Sequence, residues 1–476
     1  MNKPYRWTGR ALSAALLAAA LGGCDFVEPT RSDPNVVANP SLNQLFTGVQ
    51  VNTFYLSQSI YARVASMWTQ QTAGVTSQFT ALDQYRITED DSDDEMAAHY
   101  YSGGLIDIRA AIAMAEEDGR RTYAGILKVY EAYLIGLAAS IYGDIPYSQA
   151  ADPEITSPAL DPQLEVYAAV QTLLDEAIGD LRSGADPIGT AVPDFNFAGA
   201  TACWIDVAHS LKARFYMHVA EVQGTTAYQQ ALSNAQQGIS DAACNWRSIH
   251  TQTSTENNIW HQFTRDRPAH IVSGAHLVSI LNGGTPANFA DDDPRLAIFF
   301  KPATASTVRG QFVGSRPGSP EGDIDEGASP LNTDVGAAVG PAYNQPILTC
   351  AETQFIVAEA QYRLGNQTAA REAANRGIAC EEAQYGVTLA RVPAALAGNS
   401  LFERIMQEKY IALFLNIEVW NDYKRTCLPR FPTFGGQAIP GRLLYGTTER
   451  QTNPNIPSVG QQRQTPRNPN DPNPCS

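Results

Sequence analysis

The sequence predicts a mainly α-helical protein of the α/α superhelix type, in which tetratricopeptide-like helical hairpins carry a loop-rich variable region. Three observations support this fold class. Apolar residues recur at i, i+3 and i+4 in many segments, and most of these segments come in consecutive pairs joined by short turns. The stretches 245–345 and 423–476 are instead rich in Gly, Pro, Asn, Ser and Thr and have few periodic apolar positions. A strict repeat consensus is absent, so the hairpins are inferred from helix pairing.

The first residues have the pattern of an export signal. Three cations are followed by an apolar run, 11–21, that is too short to span a bilayer permanently. The run ends in Leu21-Gly22-Gly23-Cys24, which is similar to a bacterial lipobox. We therefore expect residues 1–23 to be a lipoprotein signal peptide and Cys24 to accept the lipid. An ordinary secretory signal followed by an incidental cysteine is the alternative.

The rest of the chain divides by composition. Residues 24–41 contain Pro, Asn, Ser and acids without apolar periodicity, as expected of a lipidated tether. Residues 42–476 are expected to form a single domain, with a helical scaffold at about 42–244 and 346–422 and loops with short strands between and after them. Binding residues tend to lie on long loops that a rigid scaffold carries.

The predicted helices follow from their apolar stripes. The clearest stripe runs from Ile126 to Ile141 and the next from Leu164 to Leu181. Further helices are predicted at 204–222, 226–240, 352–364, 367–380 and 401–422.

The net charge argues against nucleic acid as a partner. The chain has a formal charge of -16, and removing the leader with its three cations lowers it to -19. Such a chain is not attracted to nucleic acid or to anionic lipid by its overall field. Contact with a membrane is therefore expected through the lipid anchor only.

Six cysteines remain if Cys24 carries lipid, an even number in a chain that leaves the cytosol. Paired helices favour three bridges because each would close a hairpin or fasten the tail. The favoured pairs are Cys203 with Cys244, Cys350 with Cys380, and Cys427 with Cys475. Six cysteines allow 15 arrangements, and buried free thiols are the alternative. A zinc site is disfavoured because the usual ligand spacing is missing.

Four passages, in order along the chain, resemble the SusD/RagB family of lipoproteins. Residues 141–148 (IYGDIPYS) contain its YGDIPY signature, and residues 293–296 (DPRL) look like its DPRL element. Residues 352–363 (ETQFIVAEAQYR) and 408–425 (EKYIALFLNIEVWNDYKR) look like two of its helices. With the lipobox, these matches cover most of the chain.

The resemblance implies a SusD-like fold and a surface-exposed, lipid-anchored protein of a bacterial outer membrane. It implies that the protein binds a nutrient, most often an oligosaccharide, and passes it to a SusC-like TonB-dependent transporter. Two alternatives stay open: a helical adaptor or lid for the transporter that has no ligand site of its own, and a binder of peptides instead of glycans.

The motif residues themselves are interpreted as structural. Gly143 can adopt a left-handed cap, Pro146 prevents helix continuation, and Asp144 can bond backbone amides. Another group is expected to fix a helix end through buried polar contacts: Glu418, Trp420, Asp422 and Arg425.

A glycan site is expected to combine aromatic faces with hydrogen-bonding side chains. Two regions of the sequence offer this combination. The first contains Trp68, Gln70, Gln71 and Tyr85, and the second contains Asn258, Trp260, Gln262 and Arg265. Packing in the core is the alternative for both tryptophans.

No enzyme, cofactor or metal site is expected. The sequence lacks the motifs of serine hydrolases, zinc peptidases and nucleotide-binding loops, although a glycosidase carboxylate pair has no motif and stays open. Two acidic runs, 89–95 and 291–293, have oxygen ligands for calcium but not the EF-hand spacing. Solvated acidic loops are the favoured interpretation.

Overall fold

The computed structural model describes residues 39–184, 194–285, 288–318 and 327–475. Residues 1–38 fall outside this part, so the predicted signal peptide, Cys24 and nearly all of the tether lie outside the described residues. The chain divides into two compact units, Met1–Gln44 and Leu45–Ser476. The following description concerns the second unit and the helix that leads into it.

The described chain up to residue 244 is mainly helical, as the apolar periodicity predicts. Its elements are α1 (Leu42–Leu56), α2 (Ile60–Trp68), β1 (Thr72–Gly74), α3 (Gln78–Asp83), a 3-10 turn (Glu89–Ser92), a π-helix (Glu95–Ile106), α4 (Asp107–Glu117), α5 (Arg121–Tyr142), α6 (Gln163–Ser183), α7 (Thr201–His218), α8 (Ala220–Gln223), α9 (Thr225–Ala235) and a 3-10 turn (Ala242–Cys244).

The rest of the described chain alternates short elements with longer helices. These elements are β2 (Trp246–Ser248), α10 (Ile259–Asp266), β3 (Ile271–Ser273), α11 (Ala275–Leu281), α12 (Arg295–Phe299), β4 (Gln345–Leu348), α13 (Cys350–Arg363), α14 (Gln367–Tyr385), α15 (Gly398–Ala412), α16 (Glu418–Thr426), a 3-10 turn (Phe434–Gly436), α17 (Thr447–Thr452) and α18 (Val459–Gln464). The variable regions thus contain short helices that the sequence did not predict.

Helical hairpins form the scaffold by packing each helix against the next. Helix α5 packs on α6, α6 on α7, α7 on α9, α9 on α13, and α13 on α14 and α15. Buried alanines and aliphatic residues fill the C-terminal part of this series, where Phe355, Ala374 and Ile378 belong to one apolar cluster. The mainly helical prediction is therefore confirmed.

Helix α5 packs against α4, α6 and α7. Among helices in the described part, it is the one long and apolar enough to meet the criteria for a membrane span, and its apolar stretch is entirely buried inside the protein. Gly143, with φ 84°, ends the helix in a conformation that favours glycine.

The predicted continuous helix 401–422 is wrong. The structure has two helices, α15 and α16, separated by a break in which Leu415 has φ 60°. Gln71 fills the break: its amide donates to the carbonyls of Tyr410 and Leu413 and accepts from the N–H of Leu415. A side chain distant in sequence therefore satisfies backbone groups that a continuous helix would have paired internally.

Three disulfides connect Cys203 to Cys244, Cys350 to Cys380, and Cys427 to Cys475. These are the pairs that the hairpin argument favoured. The third disulfide fastens the C-terminal tail to the end of α16.

Short antiparallel pairs of strands connect distant parts of the chain. Strand β1 pairs with β3, and β2 pairs with β4. Both pairs join the scaffold to the region 245–345, so that region is held against the helices at two places.

Candidate functional site

The YGDIPY signature is a structural turn. The carboxylate of Asp144 accepts from the first amide of α6, Gln163 N, at 2.8 Å, while its carbonyl accepts from the Tyr445 hydroxyl at 2.6 Å. The hydroxyl groups of Tyr142 and Tyr61 are 2.8 Å apart in the core. Every one of these groups is occupied by the protein, so the motif positions the tail and does not form a ligand site.

The other motif residues form buried ion pairs. Arg425 bonds both oxygens of Glu359 and also Asp422, while Glu418 accepts from His218 at 2.7 Å. The DPRL arginine, Arg295, is 1% exposed and contacts Asp293, Glu408 and Glu381. These side chains join helices that are distant in sequence, in agreement with their structural interpretation.

Trp68 is a core residue. Its ring is fully buried, packs edge-on against Trp420 with ring centroids 5.2 Å apart, and donates from Nε1 to the Leu82 carbonyl at 2.8 Å. The expectation that it stacks on a sugar is therefore corrected, because neither face of the ring is accessible.

The two glutamines after Trp68 are also engaged by the protein. Gln70 is 3% exposed and donates to the Pro432 carbonyl, and Gln71 fills the break between α15 and α16. Both side chains fix loops to the scaffold, which leaves their amides unavailable to a ligand.

The second predicted group does not form one site. Trp260 is fully buried beneath the Arg63 guanidinium, 5.9 Å from the ring, and Asn258 is the buried N-cap of α10. Gln262 donates to the Asn257 carbonyl at 2.7 Å, and the exposed Arg265 pairs with Asp266 at 2.8 Å. The periodicity of α10 turns its aromatic residues into the core, so the stacking role predicted for Trp260 is corrected as well.

Of the aromatic residues that were predicted to bind a glycan, Tyr85 is the one that reaches the surface. It is half-buried, has φ 61°, and contacts Trp68 and Phe434 with ring centroids 6.3 and 6.4 Å apart. Its hydroxyl accepts from the Phe434 N–H at 3.3 Å. Burial raises the pKa of Tyr85 to about 12, so the hydroxyl keeps its proton at neutral pH and can donate it.

A cleft of about 430 Å³ opens beside Tyr85. We call it the Tyr85 cleft. Its walls come from two segments distant in sequence, and it is lined by Tyr85, Arg86, Ile87, Thr88, Pro440, Arg442, Leu444, Gln462, Arg463 and Pro466. Its volume lies in the range of small-ligand sites. Aliphatic and proline side chains provide apolar surface, and the tyrosine and arginines provide hydrogen-bond donors.

The C-terminal wall of the cleft was missed because the tail was interpreted as loop. Arg442 and Arg463 lie in a segment whose composition gives no periodic signal. A cluster of arginines in an acidic chain could have drawn attention, but these residues lie far from Arg86 in sequence and meet only after folding.

Most acidic side chains of the two runs contact other groups of the protein. In the part of the chain that the structure describes, no group of three or more metal-ligating side chains is found. The run 89–95 is a 3-10 turn leading into the π-helix, not a solvated loop: Glu89 pairs with Arg450, and Asp93 accepts from Thr448. In the second run, Asp293 binds Arg295.

Another cavity, of about 490 Å³, lies next to the YGDIPY turn. Its lining includes Tyr101, Ile106, Asp152 and Glu449. It contains no arginine or lysine among its described lining residues, so it differs in charge from the Tyr85 cleft.

Comparison with known proteins shows a family match. The sequence model of the SusD-like family, described as starch-binding and associating with the outer membrane, matches residues 34–446. No curated protein sequence matches the chain.

Solved structures share the fold at low identity. A chitin-binding protein has a TM-score of 0.75 at 20% identity, with 90% of this chain and 100% of that chain covered. A chitin-binding SusD homolog from Flavobacterium johnsoniae has a TM-score of 0.74 at 18% identity, covering 91% and 99%. A SusD/RagB family protein from Bacteroides thetaiotaomicron VPI-5482 has a TM-score of 0.71 at 21% identity, covering 88% and 95%.

Proposed function

Since the chain belongs to the SusD-like family of starch-binding proteins that associate with the outer membrane, we propose that it captures an oligosaccharide and passes it to a SusC-like TonB-dependent transporter. In this proposal the protein is a non-enzymatic binder. It is anchored through lipid on Cys24 and faces the cell exterior.

The observation that carries the proposal is the Tyr85 cleft. It combines an accessible aromatic edge with apolar side chains and hydrogen-bond donors, which is the chemistry that sugar rings require. The two chitin-binding proteins with the same fold support a glycan as the ligand. The scaffold supports the cleft, because Tyr85 packs edge-on against the buried Trp68, which in turn packs against Trp420.

Two alternatives remain distinguishable from this proposal. A helical adaptor or lid for the transporter would bind no glycan, and its cleft would be incidental. A peptide binder would prefer peptides in the same cleft. The two chitin-binding proteins that share the fold favour the glycan over the peptide.

Calorimetric titration of the mature protein against maltooligosaccharides, chitooligosaccharides, acidic oligosaccharides and a peptide library tests the proposal. We expect a glycan to bind, and we expect Tyr85→Ala to weaken that binding by about threefold to tenfold, because an aromatic contact contributes roughly 0.5–1.5 kcal/mol.

The matched control is Tyr216→Ala, which removes another half-buried tyrosine, on α7, outside the cleft. It should leave glycan affinity unchanged. If no glycan binds and the protein still copurifies with the transporter, the adaptor alternative replaces the proposal. If only peptides bind, the peptide-binder alternative replaces it.

A further inference from the structure

We infer that the Tyr85 cleft takes a negatively charged glycan, an oligosaccharide that bears carboxylate or sulfate groups. This inference rests on the proposed function, since it names the class of oligosaccharide for the same site. It starts from the charges that line the cleft.

Three arginines line the cleft without a carboxylate partner. Arg86, Arg442 and Arg463 have no Asp or Glu oxygen within 4.0 Å among the described residues. Two buried arginines elsewhere, Arg425 and Arg295, are by contrast paired with carboxylates. The chain has 49 acidic and 33 basic residues, so three unpaired guanidinium groups on one cleft point to an anion that comes from outside.

The protein holds these guanidinium groups in place but leaves donors unused. Arg463 donates from Nη2 to the Ile87 carbonyl at 3.4 Å, across the two walls of the cleft. Arg86 donates from Nη2 to the Gln84 side chain, and Arg442 donates from Nε to the Leu443 carbonyl at 3.4 Å. The Arg442 guanidinium also lies 5.0 Å from the centre of the Tyr445 ring. A guanidinium has five N–H donors, so these hydrogen bonds leave donors on each arginine.

The remaining polar groups also favour an anion. The Tyr85 hydroxyl accepts from a backbone amide, so its own proton is available. The lining residues in the described chain include no Asp or Glu. Neutral sugar hydroxyls both donate and accept, whereas carboxylate and sulfate oxygens only accept. Arginine forks match these two anions in a bidentate manner.

Carboxylates near the cleft are already engaged. Asp91 accepts from the backbone amide and the hydroxyl of Thr88, and Glu89 pairs with Arg450. Asp83 is buried, and burial raises its pKa to about 7, which reduces its negative charge at neutral pH. None of these three carboxylates forms an ion pair with an arginine of the cleft. Apolar contacts from Ile87 and Leu444 remain for the sugar ring.

Matched ligand pairs test the inference with the mature protein. Oligogalacturonate is titrated beside its methyl ester, and a chondroitin sulfate oligosaccharide is titrated beside its desulfated form, with oligoglutamate as a peptide probe. We expect the charged member of at least one pair to bind at least about tenfold more tightly, because charge-assisted hydrogen bonds are the stronger ones. The two pairs distinguish carboxylate from sulfate. Affinity should fall with added salt.

Arginine variants locate the binding. Arg442→Gln and Arg463→Gln should each weaken binding of the charged glycan about fivefold or more, while Arg463→Lys should retain part of the affinity. The control is Arg309→Gln, which removes the same charge at an exposed position that does not line the cleft, and it should have no effect. Circular dichroism and thermal unfolding establish that each variant is folded.

The outcomes separate this inference from the proposed function. Equal binding of charged and neutral members overturns the anionic class but preserves oligosaccharide capture. Binding that the cleft variants leave unchanged overturns the Tyr85 cleft as the site and likewise preserves oligosaccharide capture. Binding of neutral oligosaccharides alone does the same. Binding of oligoglutamate alone, or of no glycan in any form, overturns both.

Discussion

Arg425 is buried in α16, where it donates to both carboxylate oxygens of Glu359 and to Asp422. Burial alone would raise the pKa of Glu359, but the Arg425 guanidinium outweighs it and lowers that pKa. At the scale of single residues, the family motifs thus serve to neutralise charges that the core has removed from water.

Replacing Arg425 with methionine should lower the free energy of unfolding by about 3–5 kcal/mol, because it leaves Glu359 and Asp422 buried without their cation. Urea unfolding followed by circular dichroism measures the loss. The matched control is Arg391→Met, which breaks the more exposed pair with Glu382 and should cost less than about 1 kcal/mol. Equal losses in the two variants would contradict this account.

Glu381 should make stability depend on pH. Burial raises its pKa to about 7, and Glu408 and Asp293 add to the rise while Arg295 opposes it. Between about pH 4.5 and 7 the folded protein therefore holds a proton that the unfolded chain has released. Stability should fall as the pH rises through this window, by roughly 3 kcal/mol from this group. Urea unfolding at pH 5 and pH 8 measures the difference.

Glu381→Gln should remove most of that pH dependence. The control is Glu382→Gln on the same helix, where the hydrogen bond from Arg391 lowers the pKa of Glu382 to about 2. A lowered carboxyl pKa adds stability above the unfolded pKa and loses it only in more acidic solution. The Glu382→Gln variant should therefore show the same difference in the free energy of unfolding between pH 5 and pH 8 as the parent protein. A parent protein equally stable at both pH values would argue against the protonated Glu381.

At the scale of elements, close helix contacts depend on small residues. Gly136 of α5 faces the Phe215 ring of α7, and a Cβ at this position would overlap the ring. Gly179 of α6 has open space around it. The two glycines lie in neighbouring helices of the same hairpin series but in opposite packing environments.

Gly136→Ala should lower the free energy of unfolding by about 1–3 kcal/mol because it overpacks the contact with Phe215. Gly179→Ala should instead raise it by about 0.5–1 kcal/mol, since alanine is the better helix former and nothing obstructs its methyl group. Thermal and urea unfolding of both variants give the comparison. An increase in the free energy of unfolding of both variants would show that helix propensity, not packing, decides at these positions.

Apolar periodicity predicted α5, α6 and the later hairpins because each helix buries one continuous stripe. It failed at 401–422, where the break is satisfied by the amide of Gln71. Local periodicity cannot report a partner more than 300 residues away. Because that partner could not be seen in the sequence, Gln71 was predicted to bind ligand.

At the scale of the whole molecule, the Tyr85 cleft is assembled from two segments that are distant in sequence. Residues 85–88 form one wall, and residues 440–466 form the other. The Cys427–Cys475 disulfide and the stacked rings of Tyr142 and Tyr445, 5.7 Å apart, fasten the tail that carries the second wall. Integrity of the tail should therefore matter for binding.

Cys24→Ala should release the protein from the outer membrane, because the proposed thioether to lipid cannot form. Membrane fractionation and mass spectrometry of the mature N-terminus measure the outcome. Surface protease accessibility in the parent strain tests the outward orientation. Retention of the variant in the membrane fraction, with the same mass as the parent protein, would rule out the lipid anchor at this position.

The sequence by itself determined the helical class and the family, because apolar stripes and short motifs are local patterns that can be recognised before folding. Only the tertiary structure decided which aromatic residue reaches the surface. Trp68 and Trp260 are buried by contacts with distant segments, while Tyr85 remains accessible beside arginines that lie more than 350 residues further along the chain. Burial and the meeting of distant charges are set by long-range packing, which periodicity does not encode.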